Sequence, residues 1–217
     1  MVVGEIYHVY NRGIGGQPIY GRKSDYRRFL ESMFYYQNSE TPLRYSQFVM
    51  LPTTERQKLL SDLAKENNRL VEIICYCLMP NHFHVITKQV IEKGIALFIS
   101  NLSNSYTRFY NVKYDRDGPL FKGKFQAVRI EDDEQLLHTT RYIHLNPYTS
   151  YITKTADDLL SYPYSSFNMY RITPNDNRIN TTDVLSHFSS IEKFTNFTLD
   201  QRDYQRRLGD IKHLIHE

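Results

Sequence analysis

Residues 76–85 read Tyr76-Cys77-Leu78-Met79-Pro80-Asn81-His82-Phe83-His84-Val85, a run of strand formers broken once and carrying two histidines on either side of a phenylalanine. The flanking residues make Leu70–Leu78 and Phe83–Gln89 two strands. Pro80 has no N–H to give a ladder, so Met79-Pro80-Asn81 predicts a tight hairpin or a bulge between them. On the second strand His82 and His84 alternate by two, which sends both imidazoles to one face and Phe83 to the other, into the helices. Two such rings can share one divalent ion, or they can simply be polar groups on the open side of a sheet. The pair alone does not choose.

Working outward, Glu5–Arg12 reads as a strand stopped by Gly13, Gly15 and Gly16. Ser24 predicts a cap for a helix over Asp25–Gln37, with Phe29, Leu30, Met33 and Phe34 at helical spacing. Thr54–Asn67 predicts a shorter helix with Leu59, Leu60 and Leu63 inward. Gly94–Tyr110 predicts another, with Ile95, Phe98, Ile99, Leu102, Tyr106 and Phe109 as its apolar stripe. Gly118–Ile130 alternates like a strand. Asp132 to Gln135 resembles a capping box opening a helix that continues through Leu136, Leu137 and Ile143 to Pro147, with Tyr148 beyond it. Setting aside an insertion at residues 39–68, the order is β-α-β-β-α-β followed by a helix. That is the split βαβ order of an α+β, ferredoxin-like fold, an antiparallel sheet with helices on one face. Residues 1–170 form the predicted main domain and 171–217 a helical extension, with Asp200–Glu217 as a charged tail helix.

The 217 residues suffice for one substantial core. No apolar run reaches membrane-spanning length, and MVVGEIYHVY lacks the blocks of a signal peptide, so no membrane association and a cytoplasmic location are expected. Cys75 and Cys77, the only cysteines, would point the same way on a strand and make a poor disulfide; two buried thiols are expected rather than a zinc half-site. Net charge is only +3, but between Asn101 and Ile130 six basic residues stand against two acidic ones, interleaved with aromatics. Such a stretch suits single-stranded nucleic acid, where cations track phosphates and rings stack on bases. It equally describes a solvated face over core aromatics.

Tyr142 and Asn146 are four apart and so share one helix face. Two imidazoles and an amide oxygen make a partial site for a moderately hard ion, Mg²⁺ or Mn²⁺, beside a phenol that could act as a nucleophile. Spacing leaves open the plainer roles, a core aromatic and a helix cap.

Five blocks occur in order: YHVYNRG (Tyr7–Gly13), CLMPNHFHV (Cys77–Val85), GPLFKGKF (Gly118–Phe125), RYIHLNPY (Arg141–Tyr148) and YPYSSF (Tyr162–Phe167). Together they resemble the single-tyrosine HUH transposases of insertion-sequence type, particularly the REP-associated tyrosine transposases, over about Tyr7 to Tyr170. HUH denotes histidine, a bulky hydrophobic residue and histidine, which His82-Phe83-His84 fits. The resemblance implies a ferredoxin-like, metal-dependent nuclease for hairpin-bearing single-stranded DNA that forms a 5′-phosphotyrosine. It implies His82, His84 and Asn146 as ligands for Mg²⁺ or Mn²⁺ and Tyr142 as the nucleophile; some relatives have glutamine where Asn146 stands. Arg108, Lys122, Lys124, Arg129 and Arg141 are candidates for gripping DNA phosphates. His8 and His144, in matching blocks, are expected to be structural or supporting. A monomer and a homodimer supplying the tyrosine in trans both remain open. The competing reading is a domesticated DNA-hairpin- or RNA-binding protein that mobilises nothing; Lys122–Val128 begins like an RNA-recognition signature but lacks its further aromatics.

Overall fold

The structure, a computed structural model, describes residues 1–66 and 68–207. Four strands, β1 (Ile6–Arg12), β2 (Val71–Met79), β3 (His82–Gln89) and β4 (Gln126–Ile130), form one sheet in the order β2-β3-β1-β4. Every pairing is antiparallel. This is the α+β, ferredoxin-like arrangement that the element order predicts. The described helices are α1 (Lys23–Tyr36), α2 (Tyr45–Phe48), α3 (Thr53–Glu66), α4 (Gly94–Tyr114), α5 (Asp133–Thr149), α6 (Ala156–Leu160), α7 (Phe167–Ile172), α8 (Thr182–Leu185) and α9 (Ile191–Leu199). Among the described residues, no helix is long and apolar enough to cross a membrane.

The β2–β3 connection is the tight hairpin its proline predicts, with Pro80 and Asn81 between the strands. The turn is also anchored: the Ile19 N–H donates to the Pro80 carbonyl and the Gly13 N–H to that of Asn81. A side chain at Gly13 would meet the Gln17 carbonyl oxygen at 2.2 Å, so only glycine lets the loop after β1 turn this closely.

Alternation on β3 divides the layers. Phe83 is fully buried and packs on Phe29 of α1 at 5.2 Å between centroids, while His84 meets Tyr142 of α5 on the other side. Helices α1 and α4 therefore back one face of the sheet and α5 crosses the opposite one. The free edge of β2 is covered rather than left as a template for aggregation: the Leu78 N–H donates to the Tyr164 carbonyl and the Ser166 N–H to that of Tyr76. Cys75 and Cys77 are buried free thiols, as expected from their spacing.

Several expected boundaries shift. Helix α1 begins at Lys23, so Ser24 lies inside it; the Asp25 carboxylate instead accepts from the Gly21 and Arg22 N–H groups. Leu60 is 44% exposed on α3, whereas Leu63 faces inward. The strand expected over Gly118–Ile130 is confined to Gln126–Ile130. Gly118 (φ +82°) and Gly123 (φ +59°) take the left-handed conformation, which turns the preceding stretch into a loop. Helix α5 runs through Pro147 to Thr149, so Tyr148 is in its last turn. The expected tail helix is helical over 202–207, and its remainder lies outside the described residues.

Candidate active site

The register of three strands builds the site. Tyr10 of β1 stands opposite His84 and Arg12 opposite His82, while Gln126 of β4 stands opposite Tyr10. Partners across a ladder share a face, so these side chains surround the two histidines. Together with Asn11, Lys122 and Lys124 they line an open cleft of about 400 Å³. Lys122 is held there by its backbone, whose N–H donates to the Arg12 carbonyl.

Both histidines have one ring nitrogen engaged. His82 Nδ1 lies 2.7 Å from Asn81 Oδ1. An amide oxygen can only accept, so Nδ1 carries the proton and the His82 Nε2 lone pair is left available. His84 Nδ1 lies 2.9 Å from His8 Nε2, so its Nε2 is the nitrogen that this contact leaves unengaged. Burial, and then the Arg12 guanidinium, push the His82 pKa down to about 4. Burial, with His82 and His8 nearby, puts His84 well below its usual value. Neutral rings with free nitrogens are the form that binds a metal.

Helix α5 brings the phenol. Asp132 accepts from the Gln135 N–H at 2.7 Å, while Gln135 Oε1 accepts from the Glu131 N–H, the reciprocal cap its sequence predicts. Ten residues into the helix, the 43% exposed Tyr142 ring meets His84 edge-on at 5.9 Å between centroids. One turn later Asn146 is buried, and its Nδ2 donates to the Tyr142 carbonyl at 3.3 Å. That bond orients the amide and leaves Oδ1 as a donor for a cation. Among the described residues, no three His, Cys, Asp or Glu side chains are grouped to hold a metal. A cation held by the histidine pair would therefore need a neutral third donor of the Asn146 kind. Two imidazole nitrogens and an amide oxygen are donors of a kind that such an ion accepts.

The other candidates separate. Lys122 and Lys124 border the cleft. Arg129 is paired with Glu5 at 2.8 Å on the outside of β4. Arg141 points toward α9, its guanidinium 4.5 Å from the Phe197 ring centroid. Arg108 lines a groove of about 1030 Å³ between α1, α4 and residues 41–47, where Arg28, Arg44 and Lys113 also lie, Lys113 being paired with Asp25. His144 is fully buried, stacked on Phe167 and 2.9 Å from the Ser166 hydroxyl, a structural residue. Tyr106 donates to the Ile19 carbonyl from within the core and Tyr148 to Asp203. Among the described residues the Tyr142 hydroxyl, unlike these two, has no hydrogen-bond partner. Sequence reasoning missed Tyr10, Arg12 and Gln126, and the direct contact of His8 with His84. Their alternation was visible, but the register that aligns them is long-range.

Comparisons with known proteins agree with this architecture. The profile of the family described as "Transposase IS200 like" matches residues 43–146. Among solved structures, a REP-associated tyrosine transposase bound to a REP hairpin is similar in fold, with a TM-score of 0.52 and 13% identity over 77% of this chain and 79% of that one. No curated protein matches.

Proposed function

We propose that the chain, whose residues 43–146 match the profile described as "Transposase IS200 like", is a transposase of that kind that cuts and rejoins single-stranded DNA beside a hairpin, with Tyr142 as nucleophile. One observation carries the reading: the 5.9 Å edge-on contact of Tyr142 with His84. It brings a partly exposed phenol beside a cleft that holds both histidines and two lysines. The hairpin bound by the solved neighbour supports a hairpin-bearing strand as substrate. Residues 1–170 act as the nuclease unit, with 39–68 as an insertion and 171–217 as its extension.

His82 and His84 through Nε2, with Asn146 through Oδ1, would hold Mg²⁺ or Mn²⁺. Bound there, the ion would draw charge from a phosphate oxygen as a Lewis acid. Lys122 and Lys124, which border the cleft, hold flanking phosphates. The Tyr142 oxygen forms a bond to phosphorus as the bond to the 3′ oxygen breaks. The phenolic proton passes to solvent, and the departing 3′ oxygen takes one up. The 5′ side stays on the protein as a phosphotyrosine, and attack by a second 3′-hydroxyl reverses the step. One ester bond replaces another throughout, so no nucleotide is consumed.

The test is incubation with labelled hairpin-bearing single strands and Mn²⁺, followed by denaturing electrophoresis. A covalent protein–DNA adduct is expected with the native protein and absent with Tyr142→Phe. His82→Ala and His84→Ala should bind DNA but form no adduct. Failure of the native protein on a hairpin library removes the nuclease reading; an adduct with Tyr142→Phe moves the nucleophile elsewhere.

A further inference from the structure

The contact between His8 and His84 crosses from β1 to β3, and it joins two half-to-fully buried rings of the same polarity. His8 Nε2 and His84 Nδ1 are 2.9 Å apart, with the ring centroids 5.0 Å apart and the planes 28° from parallel. Tyr10 closes the other side, 5.1 Å from His8 and 5.7 Å from His84. A hydrogen bond between two neutral imidazoles contains a single proton, and either ring can own it. If His8 owns it, the second proton of the pair sits on His84 Nε2, and that nitrogen has no lone pair for a metal. If His84 owns it, Nε2 is a free donor. The choice is binary, and His8 is the only partner of His84 Nδ1 among the described residues.

We infer that His8 is a positioning residue for His84: as acceptor of the His84 Nδ1 proton, it fixes the tautomer and ring orientation that present Nε2 to the cleft. This rests on the metal reading of His82, His84 and Asn146. It assigns the histidine of YHVYNRG a part that pairs with the one Asn81 Oδ1 plays for His82. The two ligands are thereby supported by different elements, one by the hairpin turn and one by β1. An outer hydrogen bond of this kind raises ligand basicity and removes rotational freedom before the ion arrives.

Two substitutions separate this role from packing. His8→Leu keeps an apolar side chain of similar bulk and removes the acceptor. His8→Gln places an amide oxygen near the position of Nε2 and restores it. Mn²⁺ titrations followed by electron paramagnetic resonance should show affinity falling about 10–100-fold in His8→Leu and recovering to within a few-fold of native in His8→Gln. Thermal unfolding checks that each variant is folded. Imidazole ¹⁵N spectra of the metal-free native protein should show the His84 proton on Nδ1. Native-like affinity in His8→Leu, equal loss in both variants, or a His84 proton on Nε2 would each overturn the assignment. If the native protein binds no Mn²⁺, the metal reading falls, and the ¹⁵N spectrum alone still decides which ring owns the shared proton.

Discussion

Asp25 is a fully buried carboxylate in the first turn of α1, and its partners explain how a charge survives there. Burial alone would raise its pKa, but hydrogen bonds from Lys113, Tyr114 and the Arg22 and Gly21 N–H groups outweigh that and hold it below its ordinary 3.8. The folded pKa thus lies below the unfolded one. The resulting stabilisation is complete above about pH 4, and is lost as pH falls through the folded value. Asp25→Asn should cost about 3 kcal/mol at pH 7, because Lys113 is left without its buried counter-charge. Urea denaturation should also show a smaller loss of stability in the variant than in native protein between pH 5 and pH 2. An unchanged acid limb would mean that Asp25 is not the group that titrates. None of this was legible locally. Lys113 and Tyr114 lie at the far end of α4, and a serine beside Asp25 is the more obvious cap by residue type. The histidines were legible for the opposite reason: alternation by two is a local property, so His82 and His84 share a face whatever the rest of the chain does.

At the scale of elements, α5 shows where local rules hold and where packing overrides them. Its start was readable because a capping box is made entirely of neighbours, Asp132 and Gln135. Asp132→Ala should lower global stability by about 1 kcal/mol and reduce adduct yield no more than the loss of folded protein requires, since Tyr142 sits more than two turns away. Chemical denaturation beside the adduct assay checks both; a larger drop in adduct would mean that fraying of the cap reaches the phenol. The end of α5 is not where Pro147 would put it. The missing N–H removes one helical bond, yet the last turn persists because tertiary contacts support it. Asp203 accepts from the Tyr148 hydroxyl, and the Arg206 guanidinium donates to the Tyr148 carbonyl at 2.7 Å. The loop at 118–125 departs from its sequence pattern in a similar way. Alternation there looks like a strand, but two left-handed glycines make it a lysine-bearing loop over the cleft.

For the whole molecule, element order carried the sheet topology, because short antiparallel connections leave few arrangements for β-α-β-β-α-β. The distribution of charge around that fold was only half legible. The basic excess between Asn101 and Ile130 divides between two surfaces: Lys122 and Lys124 go to the cleft on the α5 side, and Arg108 to the groove between α1 and α4. The insertion supplies that groove with Arg44 from its opposite wall, so residues 39–68 add positive surface to the face of the sheet away from Tyr142. Among the described residues the buried Arg28 Nε has no hydrogen-bond partner, and its guanidinium lies 4.2 Å over the Tyr45 ring. Lys113 is paired with Asp25, but Arg44 and Arg108 are exposed along the groove, and guanidiniums so placed suit phosphates. Reversing both exposed ones, Arg44→Glu with Arg108→Glu, should weaken hairpin binding and flatten the slope of log K against log salt by about one for each phosphate no longer neutralised. Fluorescence anisotropy at a series of salt concentrations measures both quantities. His82→Ala is the control, since it should leave affinity and slope near native while abolishing the adduct. If the double reversal changes neither affinity nor slope, DNA is held on the cleft side alone and the insertion serves another purpose.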